Sequence, residues 1–451
     1  MGGFHETILP RSQTHFQSQI NSSTQNNTAG NSPSTGRGRK AENVGIIGLA
    51  TYIPSTTVSM TKLEAHDNCQ GKYTISLGQK YMSLTAPNED VVSMALNAVK
   101  RLMKKMNLKP SDIGRIQIGT ETPVDLSKSV KTFIVEQFFE QGITDIEGVD
   151  NVNACFGSTA ALFDTVAWMQ SDFWNGRYAI VVGTDISQGE DIYHFLTGSS
   201  AVALLIGPNA NLVVEPDRGI FSNSTFDFYK PYGYKNHYPV VDGKYSIECY
   251  LNSLNSCYEQ LKKKTGSETE FLDHQFGVFH NSSVSLTRKG FNSLIEKEIS
   301  KVLPNAKALE KRKFISKIYK ERVEASTLMT ANMGCMYNAS VLNGIISLNE
   351  SLTPEDIGKR ALVYSFGSGS VGALWTLRID GLAEKDDLVN RLNSRKEVSV
   401  DTYFEIRKLW LGEIKKFGRS YKKDQFELPI REGDYYLSSV SIDGVRKYEI
   451  A

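Results

Sequence analysis

From Val44 onward the chain alternates short apolar runs with segments of helical period, and this alternation excludes most folds before any motif is read. "VGIIGLATYI", "RIQIGTET", "YAIVVGTD" and "AVALLIG" read as buried strands. Between them, Val92, Ala95, Leu96, Val99, Leu102, Met103 and Met106 fall on one helical face of the segment from Glu89 to Met106. A second alternating block runs from about Gly219 to the end, with "HQFGVFHNSS" and "RALVYSFGSGSVGALWTLRI" as its clearest strands. The fold class is α/β. A chain of 451 residues is long for one sheet and short for three domains, so two similar halves packed into one unit fit it best.

The first 42 residues stand apart from this pattern. Gln, Asn, Ser, Thr and Gly dominate from Ser12 to Arg39, a composition that cannot bury a core and predicts a disordered arm. The arm has no apolar signal-peptide stretch, and Glu6 stands where a myristoylation signal has Ser or Thr. Arg11, Arg37, Arg39 and Lys40, with few acids after Glu6, leave room for a mitochondrial transit peptide; a plain tail on a cytoplasmic protein is the simpler reading.

Composition excludes several classes of function. With 51 Lys+Arg against 50 Asp+Glu there is no electrostatic reason to expect nucleic acid or an anionic membrane as partner. The longest apolar runs fall far short of the roughly 20 residues that span a bilayer. Five scattered cysteines with no CxxC pair, and no metal-ligand spacing among them or the seven histidines, suit a reducing compartment without structural zinc.

Three residues are candidates for chemistry. Cys155, in "NVNACFGSTAALFDTVAWMQ", stands where a loop turns into a helix, and the free N–H groups of a helix start favour thiolate over thiol. Taken alone, a free cysteine is more often a small buried hydrophobe. Glu89 follows Asn88, a candidate N-cap, and reads equally as an acid complementing the helix dipole. His280 ends an apolar strand, where a loop begins and a side chain can turn into a cleft. Together they would supply a nucleophile, a base and a hydrogen-bond donor. "GSGSVG" at Gly367 to Gly372 satisfies GxGxxG, but "ALWTLRI" after it reads as a strand where a nucleotide site needs a helix; a tight turn between antiparallel strands is predicted instead.

Taken together, "GKYTISLGQKYMS", "NEDVVSMALNAV", "IGRIQIGTET", "LSKSVKT", "GITDIEGVDNVNACFGSTAALFDTVAW", "WNGRYAIVV", "FDFYKP", "YPVVDGKYSIECYL", "VFHNS", "GKRALVYSFGSG" and "YYLSSVSIDGVRKY" closely resemble the eukaryotic type of 3-hydroxy-3-methylglutaryl-CoA (HMG-CoA) synthase, in the right order and over roughly Asn43 to the C-terminus. The resemblance implies a thiolase-like fold layered α-β-α-β-α, with pseudo-equivalent halves at 43–218 and 219–451, an active site between them, and a homodimer. It implies condensation of acetyl-CoA with acetoacetyl-CoA, with no metal or redox cofactor. Cys155 matches the nucleophile, Glu89 the general acid/base and His280 the histidine that orients acetoacetyl-CoA. Thr197, Ser246, Lys289 and Ser368 match substrate-contacting positions. Taken alone, Thr197 and Ser246 also read as strand-end hydrogen bonders, Lys289 as a surface charge and Ser368 as a turn residue.

The chain also departs from the family pattern. The loop 188–200 lacks an Arg-Pro pair and one residue, Ser285 replaces a CoA-binding lysine, and Cys335 replaces an asparagine that helps hold the acetoacetyl thioester. A thiol cannot offer an amide's donor and acceptor together, so a different acyl acceptor, or acyl-CoA binding without turnover, are the alternatives.

Overall fold

The computed structural model describes residues 40–139, 142–188, 191–231, 238–265, 270–413, 416–426 and 428–451. The arm predicted over residues 1–42 lies outside them up to residue 39. The packed body takes in residues 40–42: Ala41 is buried and its N–H donates to the Met169 carbonyl.

Nine strands form one mixed sheet: β1 (Gly45–Tyr52), β2 (Ile113–Gly119), β3 (Asp150–Asn151), β4 (Tyr178–Ser187), β5 (Gly198–Gly207), β6 (Leu212–Ser222), β7 (Phe276–Phe279), β8 (Arg360–Gly367) and β9 (Val371–Ile379). Their spatial order is β7-β8-β9-β6-β1-β5-β4-β2-β3. β4 is buried at every position after its first and β5 throughout, which is why both read as unbroken apolar runs rather than as alternating ones. β6 joins the arms of the sheet, pairing with β9 on one side and, through Leu212 and Val213, with β1 on the other. The expected boundary between residues 218 and 219 therefore falls inside a strand that both arms share.

Helices cover the sheet in layers. α1 (Val91–Lys105) and α2 (Val130–Phe138) pack on one outer face, where Val92, Leu96 and Ile134 meet Ile118, Ile180 and Val182. α3 (Gly157–Met169) and α7 (Asn338–Ser351) fill a middle core with Val181 and Leu204 from one arm and Val363 and Trp375 from the other. α4 (Gly243–Lys264), α5 (Val284–Val302) and α6 (Ala308–Arg322) cover the far face over Leu362, Tyr364 and Leu374. Adjacent strand residues, Ile180 and Val181 or Leu362 and Val363, thus belong to different cores, as period-two strands require. This is the thiolase-like α-β-α-β-α arrangement.

Local chemistry explains the ends of these elements. α1 is capped by Asp90, whose carboxylate accepts from Val92 N and Ser93 N, and not by the predicted Asn88; Glu89 thus precedes the helix. "GSGSVG" is the predicted turn, closing the antiparallel β8–β9 pair with Gly369 at φ +104, a conformation only glycine adopts without strain.

Candidate active site

The loop carrying Cys155 runs into α3 through Ala154, at φ +40, and the matching entry to α7 passes through Tyr337, at φ +43. Two non-glycine residues in strained backbone must be held by their surroundings, and Asn338 does much of the holding. Its Nδ2 donates to the Ala154 carbonyl (2.8 Å) and to Asp185 Oδ2 (2.9 Å), while its Oδ1 accepts from Ser158 N (2.8 Å). Asp185, at the end of β4, uses its other oxygen to accept from Glu121 N and from the Thr120 and Thr122 hydroxyls. One buried amide and one buried carboxylate thereby fix the loop after β2 against the start of α3.

This brings Glu121, rather than Glu89, to the thiol. The half-buried Cys155 donates to Glu121 Oε1 at 3.5 Å. Burial pushes the Glu121 carboxyl up to about 7, against the pull of Lys230. Burial first, and then the charge on Glu121, push the Cys155 thiol well above its ordinary value. The start of α3 therefore does not yield the resting thiolate expected from position alone: low dielectric and a neighbouring anion outweigh the helix terminus. The sulfur rests as a thiol, hydrogen-bonded to a carboxyl that can take its proton.

Glu89 sits elsewhere. Its Oε1 accepts from the Tyr52 hydroxyl (2.7 Å), its Oε2 from Ala86 N (2.9 Å), and the charges that act on it are Arg431 and Asp434. Burial raises it to about 7 as well, so proton affinity alone does not tell the two glutamates apart; only Glu121 touches the thiol. The sequence reading passed over Glu121 although "GTET" ends a buried strand, where α/β sheets place ligand-facing groups. It also passed over Asp185, Lys230 and Asn338.

His280 follows β7, and its N–H donates to the Tyr364 carbonyl of β8 (2.7 Å). The next residue on β8, Ser365, accepts from Thr159 of α3 (2.7 Å). Two residues on, a Cβ at Gly367 would lie 2.7 Å from Phe156 Cβ. His280 and Cys155 thus lie at the same end of the sheet, on adjoining elements. Burial lowers the His280 imidazole to about 4, so it is neutral, and its buried Nδ1 has no partner among the described residues.

The other expected residues fall in varied places. Thr197 is buried, with its hydroxyl 3.2 Å from that of Tyr403. Gly198 beside it abuts the Cys335 backbone, which is buried where β5 and the Gly334 loop meet. Ser246 lies in the first turn of α4 and not at a strand end; Lys289 is exposed on α5; Ser368 is half-buried in the β8–β9 turn. Ser285, in the first turn of α5, pairs with Ser283. Of the loop 188–200, residues 189 and 190 lie outside the described residues.

Two family models match the chain: "Hydroxymethylglutaryl-coenzyme A synthase N terminal" over residues 40–211, and its C-terminal counterpart over 212–314 and 293–451. "Hydroxymethylglutaryl-CoA synthase A" of Dictyostelium discoideum is 37% identical over 442 residues, covering 91% of each chain. The human protein "Hydroxymethylglutaryl-CoA synthase, cytoplasmic" is 36% identical over 422 residues, covering 82% of this chain and 80% of its own. Among solved structures, "MvaS in complex with 3-hydroxy-3-methylglutaryl coenzyme A" superposes with a TM-score of 0.80 at 26% identity, over 92% of this chain and 100% of its own.

Proposed function

The chain belongs to the hydroxymethylglutaryl-CoA synthase family, and from that membership we infer how its residues divide the work. The enzyme condenses acetyl-CoA with acetoacetyl-CoA and water to 3-hydroxy-3-methylglutaryl-CoA, the step that feeds isoprenoid synthesis. The observation that carries the assignment of roles is the Cys155–Glu121 contact at 3.5 Å in a chain both family models match.

In this reading Cys155 Sγ attacks the acetyl-CoA carbonyl, its proton passes to Glu121, and the CoA sulfur leaves and is protonated. Acetyl-Cys155 then loses a methyl proton to the Glu121 carboxylate. The enolate carbon attacks the ketone carbon of acetoacetyl-CoA, and the resulting alkoxide takes a proton. Water cleaves the Cys155 thioester, leaving a carboxylate on the product and a free thiol. A neutral His280 can donate one hydrogen bond to the acetoacetyl ketone without carrying charge into the site, a role that its unpartnered Nδ1 supports. Thr197, Ser246, Lys289 and Ser368 are assigned to the CoA thioesters on the strength of the motifs that contain them.

The assembly we infer is a homodimer. β3 is a sheet edge whose flanking Val149 and Val152 are 59% and 68% exposed, and an exposed apolar edge close to the site invites a second copy. We place the protein in the cytoplasm by analogy with the human relative; among the described residues no helix is long and apolar enough to cross a membrane. Mass spectrometry of the intact protein with acetyl-CoA tests the nucleophile. Wild type should carry an acetyl group on Cys155 and Cys155→Ser none, because a serine hydroxyl has no comparable acidity; an acetylated Ser variant would sink the assignment.

A further inference from the structure

Glu121 is ringed by acidic groups, of which Asp185 opposes its charge and the others are held neutral by burial. Cys155 reaches it from ahead of α3, Asp185 from the end of β4, and Cys335 and Tyr337 from ahead of α7, and each of them is an acid. Among the described residues, the cation acting on Glu121, Cys155, Asp185 and Cys335 alike is Lys230.

Lys230 is built into this place. It follows the short strand Phe228–Tyr229, and its Nζ lies 3.5 Å from Glu121 Oε2, on the oxygen that Cys155 does not use. The ammonium is out of contact with water and stands 4.3 Å from the centre of the Tyr337 ring and 5.5 Å from that of Phe228. The two rings pack edge to face at 5.8 Å. Aromatic faces on two sides and a carboxylate ahead form a cation seat, and the left-handed backbone at Tyr337 turns one of its walls inward. A desolvated ammonium in such a seat is costly unless its charge is answered, and Glu121 is the partner it faces.

We propose that Lys230 is a positioning residue for the condensation: seated between Tyr337 and Phe228, it fixes the Glu121 carboxylate beside Cys155 and keeps it in the charged form that takes the methyl proton. The proposal rests on the reading of Glu121 as base. Burial, and after it the charge on Asp185, hold a proton on that carboxyl, so without the cation it would stay protonated through neutral pH and the enolate would form slowly. Lys230 acts through Glu121 and is not required to touch substrate.

The test is the pH profile of the condensing half-reaction, measured as acetyl-Cys155 consumed on mixing with acetoacetyl-CoA. With wild type, activity should rise through a limb near the 7 to which burial brings Glu121. Lys230→Gln and Lys230→Met should move that limb up by on the order of one pH unit, so that the rate falls about fivefold at pH 7 and recovers at pH 9. Lys230→Arg should return the limb to its place. In a Glu121→Gln background, Lys230→Met should change nothing further. A rate loss equal at all pH values and not restored by Arg would mean that Lys230 only supports the fold, and a wild-type profile in the Gln and Met variants would overturn the inference outright. Should Glu121→Gln itself keep wild-type condensation, the base assignment fails first, and the two failures are thus distinguishable.

Discussion

Two glutamates of almost equal proton affinity sit in this protein, and only their neighbours assign them different work. Glu121→Gln should lower the condensing step at least a hundredfold, the usual loss for a missing general base, while slowing acetylation of Cys155 far less. Acetyl transfer exchanges one thiol proton for another and needs no net base, whereas carbon–hydrogen cleavage does. Glu89→Gln should leave both steps near wild type. Rapid-quench measurement of each half-reaction decides; wild-type condensation in Glu121→Gln would remove that residue from the chemistry. Cys155 and His280 were legible because each stands at a visible junction, loop to helix and strand to loop. Glu121 was not, because "GTET" offers no helix start or charge pattern, whereas "NEDVV" offers both. What separates the two is a contact across 34 positions of chain, made by a fold that local spacing does not encode.

At the scale of elements, continuous apolar runs identified the central strands and the apolar periodicity identified α1. Boundaries were harder to read. The helix from Gly243 starts there because Asp242 Oδ1 accepts from Tyr245 N, so Ser246 is a half-buried residue of a first helical turn. α1 shows how a cap also ties elements together. Asp90 uses Oδ1 for the helix and Oδ2 for Arg446 (3.1 Å) and Tyr448 (2.8 Å), on the strand Arg446–Ile450. Asp90→Ala therefore removes a cap, worth about 1 kcal/mol, and leaves a buried phenol and a guanidinium without their acceptor, roughly 1–3 kcal/mol more. Asp90→Asn keeps the cap and should lose only part of this. Urea denaturation of the three proteins checks the order; an Ala variant no less stable than the Asn variant would show that Asp90 holds no cap of consequence.

At the scale of the whole molecule, the buried titratable groups make stability depend on pH in two opposed ways. Glu89 and Glu121 are raised from 4.5 to about 7, so the folded state holds protons that the unfolded chain has released; the stability they contribute is full below about 4.5 and is lost as pH rises through 7. His280 is lowered from 6.5 to about 4, so its contribution is present above 6.5 and is lost as pH falls through 4. Between about pH 4.5 and 6.5 the two carboxyls act against the imidazole, and removing one of them should expose its share. Glu89 is the one to remove, since the proposed chemistry does not use it and its two neighbours suit an amide: Ala86 N–H can donate to the new carbonyl and the Tyr52 hydroxyl can accept from the new NH₂. At pH 8 wild type ionises a carboxyl in a site that resists charge, at a cost approaching 3 kcal/mol for a shift from 4.5 to about 7. Glu89→Gln should be more stable than wild type by up to that amount at pH 8 and by less than about 1 kcal/mol at pH 5, where Glu89 is protonated in the folded protein but partly ionised in the unfolded chain. Urea midpoints at the two pH values, with unchanged slopes, measure the difference. An advantage of the same size at both would trace the gain to packing or hydrogen bonding and not to the buried charge, and a loss at pH 8 would mean that Arg431 stabilises the ionised form more than burial penalises it.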